Sequence, residues 1–172
     1  MIDPTTLTPA MAASLPGATL DPIRRLRVLA QSVPGATLIE QLLDAPLDDV
    51  WAVATDFPTY LHRFEGGIRS ARVLAAHGPD DDRAIDLRIQ TIVGLPMRMN
   101  AIVRPGYCWM EARPRLYVVG LAAIADGART RFAHVEGLPV PGGRLLAPLI
   151  RLAMAGDLRR IEALAQERRQ RR

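Results

Sequence analysis

Residues Leu38–Leu74 read LIEQLLDAPLDDVWAVATDFPTYLHRFEGGIRSARVL. From Ala36 to Asp44 the chain alternates, with Leu38, Glu40 and Leu42 on one face and Ile39, Gln41 and Leu43 on the other. That period of two predicts a first strand. Asp44-Ala45-Pro46 turns the chain, and Pro46 opens a short amphipathic helix carrying Val50 and Trp51. Asp48 and Asp49 fall in its first turn, where the helix dipole favours acids. Pro58 starts a second short helix with Tyr60, and Gly66-Gly67 releases the chain into another strand, Ile68–Ala76.

Downstream the alternation continues. The HGPDDD stretch at 77–82 reads as a turn. Ala84–Val93 and Pro96–Arg104 form a pair joined through Gly94, each with one apolar and one polar face. Tyr107–Ala112, Tyr117–Ala125 and Ala128–Glu136 follow through Pro105-Gly106 and Asp126-Gly127. Loops this short pair neighbouring strands antiparallel. After Pro139-Val140-Pro141-Gly142-Gly143 a long helix runs from about Leu146 to Arg168, with Ile150, Met154, Leu158, Ile161 and Ala165 in one stripe. A run of strands closed by one helix predicts an α+β fold, the helix lying on the dry face of a bent antiparallel sheet.

Upstream, residues 1–19 are rich in Pro, Thr and Ala without a period, and a loose arm is expected. Asp21 then reads as an N-cap with Pro22 at the first helical position, opening a short amphipathic helix over 21–33. Residues 1–35 are thus an N-terminal extension, able to pack on the domain 36–172 or on a second copy as a homodimer contact.

The composition bounds what the chain does. Its 172 residues fit one domain, and no apolar run reaches the length of a membrane span. The N-terminus lacks the basic start and continuous apolar run of a secretory signal. A lone Cys108 cannot form an internal disulfide, which fits a reducing cytoplasm. All 22 basic residues are Arg, and the net charge is +4. Arg168, Arg169, Arg171 and Arg172 gather at the tail, where cations suit a helix C-terminus. With no aromatic residues interleaved, nucleic acid is not an expected partner.

The signature Ala45-Pro46…Val50-Trp51…Asp56-Phe57, and the order strand, two short helices, six strands, long helix, resemble the START-like superfamily, also called the SRPBCC or polyketide cyclase/dehydrase group. The resemblance covers about 36–168. It implies a helix-grip fold, a curved antiparallel sheet wrapped around a long C-terminal helix with two short helices after the first strand. It also implies an apolar small-molecule ligand in an internal cavity. Asp56–Leu74 is similar to the ubiquinone-binding branch. The glycine-rich loop of the plant allergen and hormone-receptor branch is absent. The superfamily holds cyclases, dehydratases and lipid carriers, so the site must choose among them.

No phosphate-binding glycine loop, HExxH or CxxC motif occurs, and His62, His77 and His134 lack ligand-like spacing, so neither a metal nor a cofactor is expected. If the strand over 128–136 runs without a bulge, Thr130, Phe132, His134 and Glu136 share one face, and Arg129 and Arg131 take the other. Arg side chains facing water turn His134 and Glu136 inward, a pair fit for acid/base catalysis of enolisation, aldol closure or dehydration. The alternative is a pair at the rim, or a His134 that only bonds a neighbour. Met97, Met99, Met110 and Met154 suit an adaptable lining as well as plain core. With Ile89 and Phe132 they predict a continuous pocket of a few hundred Å³, and Tyr60 and Tyr117 add aromatic walls and hydroxyls. Two functions remain open: a cofactor-independent polyketide-like cyclase or dehydratase, and a non-catalytic carrier or sensor of a lipid, quinone or aromatic ligand.

Overall fold

The computed structural model describes residues 20–114, 116–139 and 142–172. The loose arm expected over 1–19 lies outside them, as do Val140 and Pro141 of the loop before the long helix. Helix α1 (Pro22–Ser32) precedes strand β1 (Ala36–Leu43). Helix α2 (Leu47–Thr55) follows, then α3, which is π-helical over Phe57–Leu61 and ends in one α-helical turn, His62–Phe64. Six strands come next: β2 (Ile68–His77), β3 (Arg83–Thr91), β4 (Pro96–Arg104), β5 (Tyr107–Arg113), β6 (Val118–Asp126) and β7 (Arg129–Gly137). A 3-10 turn, Gly143–Leu146, leads into α4 (Ala147–Gln170).

The strands form one antiparallel sheet in the order β1-β7-β6-β5-β4-β3-β2. Helices α2, α3 and α4 cover its inner face, where Val50, Phe57, Phe64, Leu87, Ile89, Met99 and Ile161 share one core. This is the α+β architecture that the alternation predicts. Register shifts in β2, between Ile68 and Ser70 and between Val73 and Ala75, mark bulges that bend the strand over α3.

Most element ends shift by one or two residues from the sequence expectation, and the end of β3 shows a cause. β3 ends at Thr91 rather than Val93. Thr91 and Leu95 close the turn by backbone and hydroxyl hydrogen bonds of 3.0 Å, and Gly94 takes a positive φ of 85°. Ile92 and Val93 are therefore in the turn and exposed, despite their strand-forming side chains.

Helix α1 starts as its cap predicts, with the Asp21 carboxylate accepting from Arg24 N at 3.0 Å. Its apolar face packs on the outer face of its own sheet. Ile23 and Leu26 meet Tyr107, Ala122, Ala133 and Val135 there. Gly120 permits the approach: a Cβ at that position would stand 2.4 Å from Leu26 Cδ1 and 2.9 Å from the Trp109 ring. Leu26 is fully buried. Leu26→Ala is expected to lower unfolding stability by about 2–5 kcal/mol in urea titrations. Because the contact is within one chain, the loss should not vary with protein concentration.

Candidate functional site

β7 pairs β1 and β6 in unbroken register, so its alternation is preserved from Arg129 to Gly137. Arg129 and Arg131 are exposed. Thr130, Phe132, His134 and Glu136 therefore face inward, and His134 and Glu136 are 0% and 6% exposed. His134 Nε2 lies 3.5 Å from Glu136 Oε1 without making a hydrogen bond. The Tyr117 hydroxyl donates to Glu136 Oε2 at 2.9 Å.

Two acids join the pair that the sequence pattern did not single out. Glu65, just after α3, is partly exposed as a residue, but its carboxylate turns inward and meets the cluster. One ligand-type atom from each of Glu65, His134 and Glu136 lies within 4.8 Å of the others. Asp157 on α4 is 1% exposed, and Arg160 donates to it. Arg160 Nε also donates to the Phe64 carbonyl at 2.7 Å, which ties α4 to the end of α3 beside Glu65.

Several of these groups are buried without a partner. Among the described residues, both His134 ring nitrogens, Glu136 Oε1 and Asp157 Oδ2 have no hydrogen bond. An unmade buried hydrogen bond costs roughly 1–3 kcal/mol, so such a cluster is held against a stability gradient. Burial pushes the His134 pKa down to about 3, so the imidazole is neutral. Burial pushes Glu136 up to about 7; the nearby Asp157 charge adds to this and the Tyr117 hydrogen bond opposes it. Burial, and then the Glu136 and Asp157 charges, hold Glu65 well above the usual carboxylate range. A small cation can bridge three such atoms as well as a proton. Ligating imidazoles, however, usually donate their other N–H to a fixed partner, and His134 Nδ1 has none.

The expected lining is brought together only in part. Ile89, Met99, Met110 and Tyr117 surround one internal cavity with Leu61, Phe64 and Glu65. Phe132 and Met154 are fully buried but do not line it. Tyr60 packs on the rim of the core, its ring 5.6 Å from the Arg63 guanidinium. Met97 borders a separate surface groove with Leu74 and Arg98. The continuous pocket of a few hundred Å³ is not present: the cavity measures about 10 Å³, room for one water. Phe64 and Leu61 from α3, with Met99 and Met110 from the sheet, fill the space. Cys108 is buried, and desolvation raises its thiol to about 12, which suits a core residue and not a nucleophile. Among the described residues no helix is long and apolar enough to cross a membrane.

No protein-family model matches the chain, and no curated protein matches it in sequence. Solved structures do. The di-domain ARO/CYC StfQ from the steffimycin biosynthetic pathway aligns at TM-score 0.57 and 12% identity, over 86% of this chain. This chain spans 55% of StfQ's length. The Zhui aromatase/cyclase from Streptomyces sp. R1128 aligns at TM-score 0.56 and 15% identity, over 77% of this chain and 94% of that one. A protein from Mesorhizobium loti aligns at TM-score 0.60 and 13% identity, over 77% and 97%. At these identities the likeness shows the fold alone, the helix-grip fold that this chain shares with StfQ and Zhui.

Proposed function

We propose that this helix-grip protein binds a small carbonyl compound with an apolar or aromatic body and moves a proton on the carbon beside the carbonyl. That step is common to enolisation, aldol cyclisation and dehydration. The observation that carries the reading is the buried pair of His134 and Glu136 facing Glu65, with both His134 ring nitrogens and Glu136 Oε1 left without a hydrogen bond. The fold shared with StfQ and Zhui, both named as aromatase/cyclases, agrees with it.

The roles follow from the environments. Tyr117 occupies Glu136 Oε2 and leaves Oε1 free. Glu136 Oε1 takes the proton from carbon as that bond's electrons move toward the carbonyl. Glu65, held neutral, gives its proton to the carbonyl oxygen, and an enol results. Environments that push two carboxyl groups into different states are a recurring source of acid/base pairs. Neutral His134 bonds the substrate's oxygen and keeps it in line. The substrate body rests against Ile89, Met99, Met110 and Tyr117. It enters when α3 lifts from β2; π-helical turns of this kind recur at functional sites, and Met side chains adapt to what enters.

In D2O, the protein is expected to speed deuterium exchange beside the carbonyl of a bicyclic probe ketone such as 2-tetralone, followed by NMR. Nile red, an uncharged dye, should gain fluorescence, and Met99→Arg should abolish the gain while circular dichroism still reports the fold. Dye binding without exchange at any of a panel of ketones would make the protein a carrier or sensor of a lipid, quinone or aromatic compound. A stoichiometric divalent ion found by elemental analysis would replace the proton reading with a metal-centred one.

A further inference from the structure

The internal cavity has room for only one water, yet a cleft of about 410 Å³ opens at the other end of α3. Phe57 and Pro58 form its helical wall, Val73 and Ala76 of β2 another, and Ile85 of β3 its floor. Ile85 and Ile89 lie on one face of β3 four residues apart, so cleft and cavity are about 13 Å from each other along the strand. Phe57 bounds the first and Leu61 the second.

Two arginines enter this cleft, Arg83 from the start of β3 and Arg168 from the last turns of α4. Arg83 shares the inward face of β3 with Ile85, Leu87 and Ile89. Its Nε is buried and, among the described residues, has no acceptor. Arg168 Nε is also buried without a hydrogen bond. It stands 3.5 Å from Asp49 Oδ1, which Arg172 approaches to 3.6 Å. Asp56 lines the cleft as well. The lining thus holds two guanidiniums and one carboxylate, and one positive charge remains. Guanidinium N–H groups are matched in geometry to oxyanions, and charge-assisted bonds are the strong ones.

We propose that this cleft binds a small amphipathic molecule by a singly charged oxyanion, held by Arg83 and Arg168, with its apolar part against Phe57, Pro58 and Ile85. The site does not depend on proton transfer at Glu136. It places an anion-recognising mouth next to the helix that must move for anything to reach the cavity.

Decanoate and decanol are probes of equal chain length that differ in the anion. By calorimetry at pH 8, decanoate is expected to bind at least about tenfold more tightly than decanol, the scale of one charged hydrogen bond. Arg83→Gln should weaken decanoate severalfold toward the decanol level and leave decanol unchanged, with Arg83→Lys between. Decyl phosphate, doubly charged at this pH, should bind more weakly than decanoate. Arg168 is a second test, read as Arg168→Lys, because removing its charge strands the buried Asp49. Amide shifts caused by decanoate should map to Val73, Ala76 and Arg83, and Glu136→Gln should not alter them. Equal binding of decanol and decanoate, or an unchanged affinity in a folded Arg83→Gln protein, overturns the proposal. Tighter binding of decyl phosphate overturns the single-charge selectivity. Loss of ketone exchange in Glu136→Gln with decanoate binding intact shows the two sites to be independent.

Discussion

Glu136→Gln is expected to lower ketone-exchange turnover by roughly 10²–10⁴-fold, the usual scale of one general acid/base. The amide keeps the shape of the carboxyl group and can still accept from the Tyr117 hydroxyl, so probe binding should change little. The loss should fall on turnover and not on apparent affinity. In the wild-type protein the rate should rise with pH through about 7, because Glu136 must be ionised to accept a proton. It should fall again at higher pH as Glu65 loses the proton it donates. Glu65→Gln should remove the alkaline limb and keep the acid one. His134→Ala should be slower at every pH without shifting either limb, since burial keeps its imidazole neutral down to about pH 3. A Glu136→Gln variant with near wild-type exchange would end the base assignment. A rate flat between pH 6 and 8 would do the same.

The fold was legible because its signals are local. Alternation marked each strand, glycine and proline marked the turns, and Asp21 marked the cap of α1. The placement of half of the candidate site was legible by the same logic: Arg129 and Arg131 facing water determine where His134 and Glu136 point. Glu65 was not, because it follows Phe64 in a three-residue turn whose direction is set by tertiary contacts. Arg160, which bonds the Phe64 carbonyl, holds that turn from 96 residues away. Asp157 sits on the buried side of α4, between the apolar positions Met154, Leu158 and Ile161. A carboxylate in that stripe was the available signal. The cavity volume was not readable from the faces of single strands, since it depends on how far α3 sinks its Leu61 and Phe64 toward Met99 and Met110. Period two says which side chains point inward; it does not say how much space they leave.

The same buried groups are expected to give stability an unusual pH dependence. Glu136 has a folded pKa of about 7 against an ordinary 4.5, so the fold favours its protonated form. Its contribution is complete below pH 4.5 and is lost as pH rises to about 7, roughly 3 kcal/mol in all. His134 runs the other way, with a folded value of about 3 against 6.5. Its contribution is complete above pH 6.5 and is lost as pH falls to about 3, roughly 5 kcal/mol. Between 4.5 and 6.5 each group changes stability by about 1.4 kcal/mol per pH unit, in opposite senses, and the two cancel. These two groups therefore give a plateau over that interval. Glu65 and Asp157, whose carboxyls are also raised, add a decline that begins above their ordinary values and tilts that plateau downward with pH, and on the alkaline side Glu136 declines with them. On the acid side the His134 loss dominates. Urea unfolding at pH 3.5, 5.5 and 7.5 reads the pattern. Relative to wild type, Glu136→Gln should gain about 2 kcal/mol between pH 5.5 and 7.5, because glutamine has no proton to lose. It should run parallel to wild type between pH 3.5 and 4.5. Parallel curves across the whole range would mean that Glu136 ionises normally in the folded protein. In that case Glu136 Oε1 would not be buried and free to take a proton, and the proton-transfer assignment would fall with it.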